Sequence, residues 1–210
     1  VIYVSGHPLE DYEAMWNKNI TAVTSDFALD EESGHTRVAD GSRAVIGGMI
    51  TAKTVKYTRT GQPMAFLTLE DLLGTVEVIV FPKDYEKYRS LMEEERKVFI
   101  KGRVSCEEDK AGKLILERAY GFEEVPKELW VQFPNKEEFD KKERSLYDIL
   151  RGSDGKDHVV IYIRSPKAVK RLNGSWDVKV DEELFREVAG QFGKDNVKVV
   201  EKSIENLGKM

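Results

Sequence analysis

The sequence predicts an all-β domain followed by an α+β domain, and three observations predict it. Between residues 43 and 125, alternating apolar and polar runs recur in the order three strands, one short helix, two strands. After Glu123-Glu124-Val125-Pro126 the alternation gives way to two helical periods set among short apolar runs. A content of 40% apolar and 10% aromatic residues in 210 is enough to fill a core in each part. These changes place a helical lead and linker from a preceding domain at 1–42, the β domain at 43–125 and the α+β domain at 126–210.

The lead opens a helix at His7-Pro8-Leu9-Glu10-Asp11-Tyr12, where a proline and acids in the first turn suit the unpaired N–H groups. Leu9, Tyr12 and Trp16 then recur at helical spacing. From Thr24 to Ser42 the pattern dissolves into polar, Gly-containing stretches that read as a linker or mobile loop. Ala44 to Val55 is a long curved strand, with Gly47-Gly48 marking a bulge or a close backbone approach. Lys56 to Pro63 is a loop; Met64 to Glu70 and Thr75 to Phe81 are strands split by a turn at Gly74. Pro82 to Met92 is an amphipathic helix, and Arg96 to Val104 and Lys113 to Phe122 are the last two strands. A helix between strands three and four is the layout of a five-stranded OB barrel.

In the second domain, Leu129 to Phe133 reads as a strand, 136–150 as a helix and His158 to Arg164 as a buried strand. Ser175 to Val180 reads as a third strand. Asp181 then caps a helix through Phe192 that stops near Gly193, and Val197 to Val200 closes the set. The β-α-β-β-α-β order predicts a split, ferredoxin-like sandwich. Trp176 and Lys170-Arg171 fall in its central hairpin region, where core packing and a solvated turn explain them.

Charge is close to balanced, with 33 basic and 38 acidic residues and a net charge of −5. This excludes a histone-like chain but leaves room for a local basic groove. The acidity sits in the lead: residues 1–40 hold two basic and eight acidic groups, 41–125 fourteen of each, and 126–210 seventeen and sixteen. The single cysteine, Cys106, fits a reducing compartment and, among acids, reads as inert. No apolar run approaches the ~20 residues a membrane span needs and no secretory leader opens the chain, so a cytoplasmic location is expected. The chain begins at Val1 without an initiator Met and is read as a piece of a longer protein.

Side chains two apart on a strand share a face. Leu67 and Leu69 fall inward and Phe66, Thr68 and Glu70 outward; Val76, Val78 and Val80 oppose Glu77, Ile79 and Phe81. Two rings, Phe66 and Phe81, are therefore expected on the outer face of strands two and three. That face, with the loops joining strands one to two and four to five, is where OB barrels hold single-stranded nucleic acid. The first loop carries Lys53, Lys56, Tyr57 and Arg59, and the second borders Lys101, Arg103, Lys110 and Lys113. Cations there compensate phosphate charge, and exposed rings stack any base. The competing reading makes the rings interdomain packing and the lysines a solvated surface.

His7, His35 and His158 lack partners at metal-ligand spacing, and Asp71, Glu93-Glu94-Glu95 and Glu107-Glu108-Asp109 sit at turns and helix ends, so no metal is expected. The sequence contains no Walker loop, nucleophile elbow or dinucleotide fingerprint, and neither a catalytic residue nor a cofactor is expected.

Ser5-Gly6-His7-Pro8-Leu9 with Tyr12, the stretch from Lys53 to Gly61, Leu67-Thr68-Leu69-Glu70-Asp71, Gly74-Thr75-Val76-Glu77-Val78, Phe81 and Val98 to Val104 carry a family resemblance. So do Val159 to Ile163, Trp176-Asp177-Val178 and the helix from Leu184. Over essentially the whole chain they resemble the C-terminal region of the alpha subunits of bacterial DNA polymerase III, the C-family replicative polymerases. The resemblance implies an OB domain near the entering single-stranded template, a role that maps onto Lys56, Arg59 and Phe66. It implies a terminal domain that contributes to holoenzyme assembly, in some members by binding the clamp-loader tau subunit. The family's PHP and palm domains lie upstream of the matched stretch, so this piece is expected not to polymerise. Two other readings stay open: a protein-interaction module whose barrel face docks within the protein, and an anticodon-binding OB appendage, which a class II synthetase core should follow.

Overall fold

The computed structural model describes residues 6–204, and the chain divides into two compact units at Glu124/Val125. In the first, a lead of one 3-10 turn (Glu10–Tyr12) and α1 (Glu13–Asn19) precedes β1 (Arg43–Tyr57), β2 (Pro63–Glu70), β3 (Thr75–Val80), α2 (Pro82–Tyr88), β4 (Lys97–Ser105) and β5 (Lys113–Gly121). The five strands close into a barrel in the order β1-β2-β3-β5-β4, as expected of an OB fold. β1 is long enough to pair with β4 through its first half and β2 through its second, and the parallel pairing of β3 with β5 completes the ring.

Alternation builds the interior. Ile46, Ile50, Leu67, Leu69, Val78, Ile100, Leu114 and Leu116 are buried together, while Phe66, Ile79 and Ile115 stand half-buried on the other side of their strands. At Gly48 a Cβ would come within 2.3 Å of the Glu70 carbonyl oxygen, so the close backbone approach falls at the glycine pair. The bulge lies further on, where the β1–β2 register shifts between Ile50 and Ala52.

The lead is bound to the barrel. The Trp16 indole donates to the Gly47 carbonyl at 2.7 Å, and Phe99, which points out of β4, is buried with Trp16 close to Gly47 and stacked on Phe122 with centroids 4.4 Å apart. In the stretch that composition reads as a linker, a 3-10 turn at Thr24–Phe27 places Phe27 in the barrel core. Burying one such ring contributes about 1.5–3 kcal/mol, enough to anchor an otherwise polar segment. Asp71 fixes the same region. Its carboxylate accepts from the Thr24 amide (2.8 Å), the Thr24 hydroxyl (2.6 Å) and the Leu73 and Gly74 amides of the β2–β3 turn.

The second unit contains β6 (Lys127–Asn135), α3 (Lys136–Leu150), β7 (His158–Ser165), β8 (Ala168–Arg171), α4 (Glu182–Phe192) and β9 (Val197–Glu201). Asn135 and Asp181 cap the two helices by accepting from the Glu138 and Leu184 amides. Helical residues such as Phe139, Leu146, Val188 and Phe192 pack on Leu129, Val131 and Phe133 of β6.

The expected β-α-β-β-α-β order is present, but the split arrangement is not. The sheet runs β8-β7-β6-β9, with β6 and β7 paired directly in parallel, so no strand is inserted between them. The third strand also lies elsewhere than expected. β8 forms a short hairpin with β7 at Ala168–Arg171, whereas 175–180 holds only a 3-10 turn and an isolated bridge from Val178 to Asp157.

Candidate nucleic-acid interface

Strand pairing brings outward residues of all five barrel strands into one row. Thr54 stands opposite Phe66, Phe66 opposite Ile79, Ile79 opposite Ile115, Ile115 opposite Arg103, and Arg103 opposite Arg43. The centre of the row is half-buried and apolar; its ends are polar and cationic. The Lys56 ammonium lies 4.8 Å from the Phe66 ring centroid; Phe81, 46% exposed, falls just past the end of β3, where it caps α2, and not within the strand as expected. Lys113 is on this face as well, paired with Glu77 at 3.0 Å, and Arg43 is paired with Glu117 at 3.2 Å. Among the described residues, Lys56, Arg59, Lys101 and Arg103 have no carboxylate partner.

The ten expected site residues do not form one patch. Lys56, Phe66, Arg103 and Lys113 share the outer face, with Lys101 two residues along β4 beside Arg118, while Phe81 is exposed beyond the end of β3. Tyr57, 74% exposed, and Arg59 stand at the tip of the β1–β2 hairpin. Lys53 pairs in register with Leu67 and so lies on the opposite face of β1 from Lys56. There its ammonium meets Glu93 Oε1 at 2.8 Å, 5.7 Å from the Tyr85 ring centroid. Partial burial pushes the Lys53 pKa down, but hydrogen bonding to Glu93 and Tyr85 outweighs it and holds the ammonium above its ordinary range. The same ion pair lowers Glu93. Lys110 turns to Glu107 within the β4–β5 loop.

That loop is held from the lead side: the Gly112 amide donates to the Phe27 carbonyl (2.7 Å) and the Cys106 amide to Asp40 (2.8 Å). With Glu107, Glu108 and Asp109 exposed beside it, this end of the barrel is acidic. The uncompensated charge therefore concentrates at the β1–β2 hairpin and on β4.

Reading the sequence placed Ile79 on the outer side without naming it as a site residue, and missed Ile115 and Arg43 as members of the face. The signal for Ile115 was the outward parity of β5, but only the parallel pairing of β3 with β5 brings it beside Ile79, and only the β1–β4 pairing brings Arg43 beside Arg103.

A closed β1-β2-β3-β5-β4 barrel with this outer row defines the class as an OB-fold protein. Residues 44–119 match the family described as the OB-fold nucleic acid binding domain. Nearly end to end, the chain is similar to a segment of DNA polymerase III subunit alpha. It is 26% identical to the Bacillus subtilis subunit over 205 residues, which is 93% of this chain and 17% of the relative. It is 35% identical to the Aquifex aeolicus subunit over 128 residues, 60% of this chain and 10% of the relative. The matched stretch thus spans less than a fifth of these relatives. Among solved structures, the SSB domain of a Synechococcus protein is 14% identical with a TM-score of 0.35, covering 40% of this chain and 98% of that one. Among the described residues, no helix is long and apolar enough to cross a membrane.

Proposed function

We propose that the barrel binds single-stranded template DNA across the outer face of β2, β3 and β5 as a noncatalytic part of a DNA polymerase III alpha subunit in the bacterial cytoplasm. The observation that carries this reading is the registered row Phe66–Ile79–Ile115, with Lys56 over the Phe66 ring and Arg103 at the row's end. Half-buried apolar side chains give bases a dry surface to stack on, and unpaired cations along the edge compensate phosphates. The family match of residues 44–119 and the similarity to polymerase III alpha subunits support it. In this reading the second unit contributes to assembly with other holoenzyme subunits, the clamp-loader tau subunit among them. The chain brings no cofactor of its own to this role.

The test is fluorescence anisotropy of labelled oligo(dT) titrated with the chain at several salt concentrations. Binding that weakens as salt rises and falls about tenfold or more in a Lys56→Ala, Phe66→Ala double variant supports the proposal. A salt-independent signal, or a double variant that binds like the parent, would refute it.

A further inference from the structure

The second unit has a sheet face that its helices do not use. α3 and α4 cover Leu129, Val131 and Phe133 of β6; Trp130 and Gln132 point to the other side. On that side Trp130 stands opposite Lys198 of β9, and Gln132 opposite Tyr162 of β7, which in turn faces Val169 of β8. Together they line an open cleft of about 570 Å³.

A buried carboxylate organises this face. Glu128 has a side chain only 1% exposed, with Arg171 Nη1 at 2.6 Å and Lys202 Nζ at 3.0 Å. The Trp130 indole N–H donates to its Oε2 at 3.0 Å. One carboxylate is thus shared by two cations, which leaves an excess positive charge and fixes one edge of the tryptophan ring. Further cations follow: Lys198 beside Trp130, Arg164 two residues after Tyr162 on the same face of β7, and Lys167 in the β7–β8 turn. None of these three has a carboxylate partner among the described residues. The acid at the cleft is Asp195, whose backbone carbonyl accepts from Gln132.

We propose that this face is a second platform for an unpaired polynucleotide strand. A four-stranded sheet with helices on one side and aromatics on the other offers bases a stacking surface, and the surrounding cations track the phosphates. An apolar peptide would use Trp130 and Val169 but would leave the three cations unpaired, whereas a polyanion uses both sets of groups.

The experiment uses the full chain. A bromouracil-substituted oligodeoxynucleotide is photocrosslinked to it and the products are mapped. Binding of oligo(dT) is then compared among the parent, the barrel variant Lys56→Ala with Phe66→Ala, and that variant with Lys167→Glu and Lys198→Glu added. The charge reversals are surface changes that leave Trp130 and Glu128 in place. Crosslinks at Trp130 or Tyr162, together with a further loss of about fivefold or more on charge reversal, are expected. Crosslinks confined to the barrel, no binding left in the barrel variant, or reversals that leave affinity unchanged would each overturn the proposal; in the last case the face belongs to a protein partner. If the barrel variant binds like the parent while the reversals weaken it, the barrel reading fails and this one stands.

Discussion

The Lys56 ammonium sits 4.8 Å from the centroid of the Phe66 ring, across the β1–β2 pair. A cation over an aromatic face is worth about 0.5–1 kcal/mol at an exposed site. That is enough to bias the side chain's position but far too little to neutralise its charge. The charge therefore stays available to a phosphate beside a ring available to a base.

Phe66→Ala should weaken oligo(dT) binding about 5- to 100-fold, as expected for a stacked base. Lys56→Ala should cost most at low salt, with the loss shrinking as salt rises, because it reduces the steepness of the salt dependence by roughly one phosphate contact. Anisotropy titrations across a salt series measure both.

Lys53→Ala should leave that affinity within about twofold, because the ammonium is already paired with Glu93 on the other face of β1. The same titration checks it. A loss matching that of Lys56→Ala would mean the DNA path crosses the barrel end rather than the β2–β3 face.

Asp71→Ala should destabilise the first unit by about 2–4 kcal/mol, since it strands the buried Thr24 donors and removes the β2–β3 turn bonds. Urea unfolding gives the value. Asp71→Asn should fall between the alanine variant and the parent, because its amide keeps an acceptor but places an N–H against a donor.

Burial pushes the Glu128 carboxyl up, but hydrogen bonds from Lys202 and Trp130 and the nearby charges of Lys202 and Arg171 outweigh it, so its pKa is lowered on folding. A lowered folded value means stability that is present above the unfolded pKa and lost as the pH falls through the folded one. The second unit should therefore lose stability from about pH 5 downward, and Glu128→Gln should flatten that loss. Urea midpoints between neutral and acid pH test this. At neutral pH the substitution should cost about 2–3 kcal/mol, toward the low end because Arg171 and Lys202 keep partial access to water.

Much of the barrel was legible because period-2 alternation fixes both a strand and its faces: the outward position of Phe66 comes out of parity alone, whereas Phe81 falls beyond the end of β3. The Lys53–Lys56 separation was legible too, since residues three apart on a strand oppose each other, but grouping them by loop concealed it. Proximity across the β3–β5 pair was not legible, because nothing local in Ile79 or Ile115 says which strands meet. The second sheet failed for a related reason. A β-α-β-β-α-β order is compatible with more than one arrangement, and β8 exposes all four of its residues, so no hydrophobic pattern marks it. Ser175 to Val180 offered the stronger apolar signal, which its buried valines direct into the core as irregular chain.

The barrel is closed by its shortest seam. β3 and β5 register only from Glu77 to Ile79 against Lys113 to Ile115, with the Lys113–Glu77 ion pair on the outside. Amide protons along this joint should exchange with solvent sooner than those of the long β1–β2 ladder. Ile79 and Ile115 are the last pair of the joint, so a bound strand crossing it would act as a hoop and slow that exchange, making occupancy visible as protection of the barrel's backbone.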